Sequence, residues 1–142
     1  MRRFAWLVIV AATACEGLVS AQSHPDFSGA WIGSGKSITI QQDAATITIG
    51  EGTQARIYNL DGSESRFVIG RGQMTARARW AGSAFVVDVT TVSPLGTWTD
   101  VEVYSIDYGQ KLSVVQVRTQ TTRPMMYTTV DTYSRIGPAA RN

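Results

Sequence analysis

The chain has 142 residues, a length that implies one domain. Its formal net charge is +2, and +1 once Arg2, Arg3 and Glu16 of an N-terminal leader are set aside. That balance excludes the basic footprint needed for nucleic acid or anionic lipid. Cys15 is the only cysteine, so no disulfide framework exists and the folded part must be held by its core. About 120 residues after a leader are enough for that, since staples become necessary only near 40.

The N-terminus reads as a targeting segment. Met1-Arg2-Arg3 is a basic start, and residues 4–14 form an apolar run. The run is too short for a bilayer core, which takes about 20 apolar residues, and it fits a signal peptide over residues 1–21. Two cleavage readings stay open. Val19-Ser20-Ala21 presents small or apolar residues at the third and first places before a cut that leaves Gln22 first. Alternatively, Ala12-Thr13-Ala14-Cys15 is similar to a lipobox, which would make Cys15 a lipidated N-terminus, although Leu is usual where Ala12 stands. The expected location is secreted or periplasmic, or membrane-anchored through Cys15 in the second reading. No later stretch is apolar enough to span a membrane as a helix.

The domain is expected over residues 22–136. Its dominant period is two, the mark of half-buried strands, with frequent Thr, Val, Ile and aromatic residues. Strands are expected at 27–33, 36–42, 45–50, 54–59, 65–70, 73–80, 83–91, 97–107, 111–120 and 125–135. In the second, Ile38 and Ile40 share a face; in the third, Ile47 and Ile49 alternate with Thr46 and Thr48. In the sixth, Met74, Ala76, Ala78 and Trp80 alternate with Thr75, Arg77 and Arg79. Asp61-Gly62 gives the strongest hairpin signal, a type I′ turn with positive φ at both central residues, and Ala81-Gly82 and Tyr108-Gly109 sit in equivalent places. Short connections leave no room for crossover helices, so a parallel sheet is excluded. The expected fold is all-β, an up-and-down antiparallel meander closed into a small barrel, which would remove exposed edges. Residues 137–142 read as a flexible tail.

Asp26-Phe27-Ser28-Gly29-Ala30-Trp31 resembles the opening of calycin-type barrels: lipocalins, avidins and small bacterial lipocalin-like proteins. These share a Gly-x-Trp on the first strand, here Gly29, Ala30 and Trp31. In lipocalins an Arg from the end of the barrel covers that Trp. The resemblance implies that Arg135 is that partner, closing one end by burial and a cation–π attraction of about 0.5–2 kcal/mol. Residues 37–49, 58–62, 78–82 and 133–135 are similar to segments of exported bacterial lipocalin-like domains. Where that group often continues Leu-Asn-x-x-x-Ser, this chain has Ile32-Gly33-Ser34-Gly35-Lys36-Ser37, a shorter first loop. The resemblance implies fold and export; activity belongs to sites and is not implied.

The residues offer several candidate sites. His24 alone, without cysteines, supplies neither a zinc site nor a Ser-His-Asp frame, and reads as a solvated terminal residue. Asp100 and Glu102 share a strand face with Trp98 and Tyr104, with Cα atoms roughly 6.5–7 Å apart. Such a pair could do acid–base work on a sugar, but a solvated outer face is the plainer expectation. Arg77 and Arg79 read as a charged outer face that keeps the barrel soluble, or as an anion or partner site. Trp31, Trp80, Trp98, Phe67 and Phe85 either fill a solid core or line a cavity. In the latter case Trp80, Phe85 and Trp98 are the expected walls for a small apolar ligand.

Val86-Val87, Val101 with Val103 against Tyr104 with Ile106, and Val114-Val115 are apolar on both faces, as on a barrel that docks a partner. The expectation is therefore an exported, non-enzymatic barrel that binds a small apolar ligand. The alternative is an interaction platform for an envelope protein, for which calycin-type inhibitors of exported proteases are the precedent. No metal, cofactor, nucleic-acid partner or membrane span is expected.

Overall fold

The computed structural model of the chain describes residues 23–108, 110–121 and 125–137. The expected leader, with Cys15 and both candidate cleavage sites, and the expected tail after Gly137 lie outside the described residues. Ten strands follow one another: β1 (Gly29–Gly33), β2 (Lys36–Gln42), β3 (Thr46–Glu51), β4 (Gln54–Asn59), β5 (Ser65–Ile69), β6 (Gly72–Ala81), β7 (Ala84–Ser93), β8 (Gly96–Ile106), β9 (Lys111–Gln120) and β10 (Met125–Ile136). They form one antiparallel up-and-down sheet in the order β4-β3-β2-β1-β10-β9-β8-β7-β6-β5, which curls into a nearly closed barrel. The first and last strands meet, with Trp31 opposite Arg135.

Period two decides what faces the lumen. Ile38, Ile40, Ile47, Ile49, Met74, Ala76, Ala78, Phe85, Val87, Val89, Tyr104, Leu112 and Tyr133 point inward and form one core. Each large apolar side chain so buried is worth about 1.5–3 kcal/mol relative to exposure. Arg77 and Arg79 point outward. Arg79 pairs with Asp88 beside it, and Arg77 reaches Gly62 O and Glu64.

Closure is incomplete at one place. No strand ladder joins β4 to β5, although β4 runs beside β5 and β6. Side chains span that seam instead. The Asn59 backbone N–H donates to Ser65 Oγ at 3.3 Å, and the rings of Tyr58 and Phe67 meet edge-on at 5.7 Å. The expected hairpin at Asp61-Gly62 is therefore corrected. Gly62 has φ of 79°, but Asp61 does not have positive φ. Its carboxylate instead accepts the Ser63 amide at 2.8 Å, a local turn that carries the chain across the seam. Among the described residues, the two-residue loop with positive φ at both positions is Ser34-Gly35, at 51° and 72°, between β1 and β2.

Candidate ligand chamber at the open end of the barrel

The two ends of the lumen differ. At the end where the chain enters, residues 25–28 fold under the barrel as a plug. Gln42 holds them: its Oε1 accepts the Phe27 amide at 3.0 Å and its Nε2 donates to Pro25 O at 3.1 Å. Trp31, fully buried, donates its indole N–H to Phe27 O at 2.9 Å. The Arg135 guanidinium lies 4.5 Å from the Trp31 ring and donates to Ser28 O and Asp26 O. Gly29, with φ of +138° where side chains are rarely accommodated, sits against the stem of Arg135.

The plug reaches Trp80. His24 stacks on that indole with centroids 4.1 Å apart, and Phe27 and Phe85 pack on it at 5.8 and 5.6 Å. His24 therefore lies on the outside of the plugged end, exposed to solvent on one side and stacked on Trp80 on the other. Phe85 is enclosed by Trp80, Tyr58 and Tyr104. Trp80 and Phe85 fill the plugged end. Trp98, half-buried opposite Thr91 and Gln120, stands at the other end. The structure does not bring the three aromatic residues together.

The other end, at the β3–β4, β5–β6 and β7–β8 turns, holds a chamber of about 340 Å³. One side is apolar, from Ile69, Met74 and Val89. The rest is polar, from Glu51, Gln54, Arg56, Thr91, Asp100, Glu102, Gln116 and Arg118. A side cavity of about 80 Å³ continues past Arg56 and Glu102 to Asp131 and Tyr133.

The chamber floor carries buried charge. Asp100 and Glu102 are 3% and 6% exposed, which overturns the expectation of a solvated outer face. On β8 they share their face with Tyr104, and burying that ring draws the carboxylates inward with it. Arg118, directly opposite Asp100 on β9, grips it with two bonds, Nε to Oδ1 at 2.7 Å and Nη2 to Oδ2 at 3.1 Å. That carboxylate holds the Arg118 pKa above its usual value.

Glu102 accepts the Tyr104 hydroxyl at 2.7 Å and meets Arg56 Nη1 at 3.4 Å. Arg56 comes from β4 on the far wall, its side chain 25% exposed. Burial works against its charge, but Tyr58, Glu102 and Tyr104 outweigh that and raise its pKa. Tyr58 is completely buried under Arg56, and among the described residues its hydroxyl has no hydrogen-bond partner. Burial pushes both phenols up, and Tyr104 is raised further by the charge of Glu102.

Sequence reasoning missed Arg56, Gln116 and Arg118. The available signal was β4 itself: Arg56 shares a face with Tyr58, leaving Ile57 outward and 52% exposed. Among the described residues, no three His, Cys, Asp or Glu side chains stand close enough to hold a metal ion, and no helix is long and apolar enough to cross a membrane. No protein-family model matches the chain, and no curated protein or solved structure is significantly similar to it.

Proposed function

We propose that the chain is an exported binding protein, not an enzyme, that takes a small molecule into the chamber at the open end of the barrel. The observation that carries this reading is the charged floor. Buried ion pairs are poor stabilisers, because desolvation offsets their attraction, and apolar replacements are often neutral or stabilising. Two buried carboxylates, each held by an arginine that keeps part of its side chain in water, facing a cavity of ligand size, are therefore better explained by binding than by folding. The plugged end is filled by aromatic side chains, so the polar lining favours a ligand with polar groups over an apolar one. Export is supported by the leader-like first 21 residues. The lipocalin-like reading is supported by the near-closed meander and by the Arg135–Trp31 closure, which resembles that of lipocalins.

The test is a fragment screen read by methyl NMR, since Ile69, Met74 and Val89 line the chamber and report on occupancy. Polar fragments should shift these methyls, and Thr91→Trp, which fills the chamber, should abolish the shifts. A diverse library that leaves all three methyls unmoved at millimolar concentration would end the proposal.

A second reading, a docking platform, draws on the outer surface. Val103, Val115 and Val130 stand opposite one another in one row across β8 to β10, half-buried to exposed, and the row ends at Val86 of β7, which is buried. Light scattering after chromatography checks it in part: a strict monomer whose outer valines tolerate Val130→Lys without loss of any co-purifying protein counts against it.

A further inference from the structure

We infer that the chamber is built for an uncharged polyhydroxylated ligand, a sugar ring or a small neutral glycan unit. The inference rests on the binding reading above and names its ligand class.

Charge balance comes first. Each carboxylate lining the chamber has a basic partner: Asp100 has Arg118, Glu102 has Arg56, and Glu51 at the rim has Lys36 at 3.8 Å. Each carboxylate of the chamber lining is therefore paired, two by arginines of the lining itself and Glu51 by Lys36, which reaches it from the side cavity. A charged ligand that displaced either arginine would leave the buried Asp100 or Glu102 without its partner, an expensive exchange that a neutral ligand avoids. Asp131 lies beyond the floor, in the side cavity.

Hydrogen-bonding capacity comes second. Gln54, Gln116 and Thr91 each offer both donor and acceptor atoms to the chamber, which matches hydroxyl groups. Arg56 makes one polar contact among the described residues, the long one to Glu102, so most of its N–H groups remain available to a ligand oxygen.

Wall chemistry comes third. Ile69, Met74 and Val89 lie on the consecutive strands β5, β6 and β7 and form one apolar wall, while the ionic and amide groups come from β3, β4, β8 and β9. A pyranose has the same division, with C–H groups on its face and hydroxyls around its rim. The volume of about 340 Å³ is at the small end of ligand sites, which limits the occupant to one or two rings.

The test titrates the full mature chain with glucose, N-acetylglucosamine and cellobiose, and in parallel with glucosamine, glucuronate and dodecanol. The Ile69, Met74 and Val89 methyls are the readout. At least one neutral sugar should shift them saturably. Gln116→Met and Thr91→Val, which remove polar atoms at nearly constant volume, should each weaken that sugar about fivefold, the loss of roughly one net hydrogen bond. Both variants should melt within a few degrees of the parent. Cellobiose bound more tightly than glucose would point to a chain end rather than a free sugar.

If glucosamine or glucuronate binds tenfold more tightly than every neutral sugar, the ligand class is wrong while the chamber still binds. The same follows if dodecanol alone moves the methyls. If no member of this panel moves them but other fragments do, the sugar inference fails and the binding reading survives; if nothing moves them, both fail.

Discussion

Arg56 on β4 and Glu102 on β8 meet at 3.4 Å across the lumen, although their strands are not neighbours in the sheet. The contact ties opposite walls of the barrel where the apolar core gives way to the chamber. Removing one partner strands the other. Arg56→Met leaves Glu102 with only the Tyr104 hydroxyl, and should cost about 2 kcal/mol; a fully buried pair costs about 3–5, and Arg56 keeps some water. Glu102→Leu should cost a similar amount. The double variant should recover most of the loss, because neither charge is then buried. Urea denaturation of the four proteins closes the cycle. A coupling near zero would show that the two side chains stand close without holding the walls together.

Tyr58 and Tyr104 are a matched pair of phenols with opposite bonding. Tyr104 donates to Glu102 at 2.7 Å, whereas the buried Tyr58 hydroxyl is unpartnered among the described residues. A buried polar group without a partner costs about 1–3 kcal/mol, and a hydrogen bond to a charged group contributes about 1.5–3. Tyr58→Phe should therefore leave stability unchanged or raise it by about 1 kcal/mol. Tyr104→Phe should lower it by about 2. Thermal and urea unfolding of the two variants measure this; equal losses would mean that the Tyr58 hydroxyl is bonded in solution, most simply to water.

The same phenols set an alkaline limit. Burial raises both folded-state pKa values, while in the unfolded chain each titrates near 10. A raised pKa contributes stability that is complete below the unfolded value and is lost as pH climbs from there toward the folded value. Between those limits each tyrosine removes about 1.4 kcal/mol per pH unit. Stability should be flat with respect to these groups up to about pH 10 and then fall steeply. Tyr104→Phe should roughly halve the slope contributed by the pair. Urea midpoints between pH 8 and 11.5 follow it, and a profile unchanged in both single Phe variants would assign the alkaline loss to other groups.

Strand positions were legible because period two is local. The expected spans 36–42, 54–59 and 111–120 are the observed β2, β4 and β9. The site was less legible because period two says which residues share a face, not which face is inside. On β8 one face carries Trp98, Asp100, Glu102 and Tyr104 and the other carries Val101 and Val103, so both have apolar claims. The choice falls to Tyr104, whose ring joins Phe85 and Tyr58 in the core and takes the carboxylates with it. Their partners come from elsewhere: Arg118 from the next strand and Arg56 from the far wall, 46 positions away in the chain from Glu102. The turn at Ser34-Gly35 was obscured for a related reason. Asp-Gly is the stronger local signal, but at Asp61 the side chain bonds its own turn and the strands on either side do not pair.

The seam between β4 and β5 is where the barrel should open first. Every other neighbouring pair of strands is joined by a hydrogen-bonded ladder. At the seam, Asn59 to Ser65 Oγ, the Tyr58–Phe67 contact and the reach of Arg77 to Gly62 O at 3.2 Å stand in for one. Local opening needs few broken bonds there, so seam amides should exchange by fluctuations well below the global unfolding energy. Native-state hydrogen exchange should show β4 and β5 exchanging at least tenfold faster than the ladders joining β7, β8 and β9. Arg77 is exposed, so Arg77→Ala should change global stability by less than about 1 kcal/mol. It should nonetheless accelerate exchange in β4 and β5 specifically, because it frees the connection that bridges them. Equal protection of β4 and β8 in the parent protein would mean that the two edges pair in solution and that the chamber has no flexible wall.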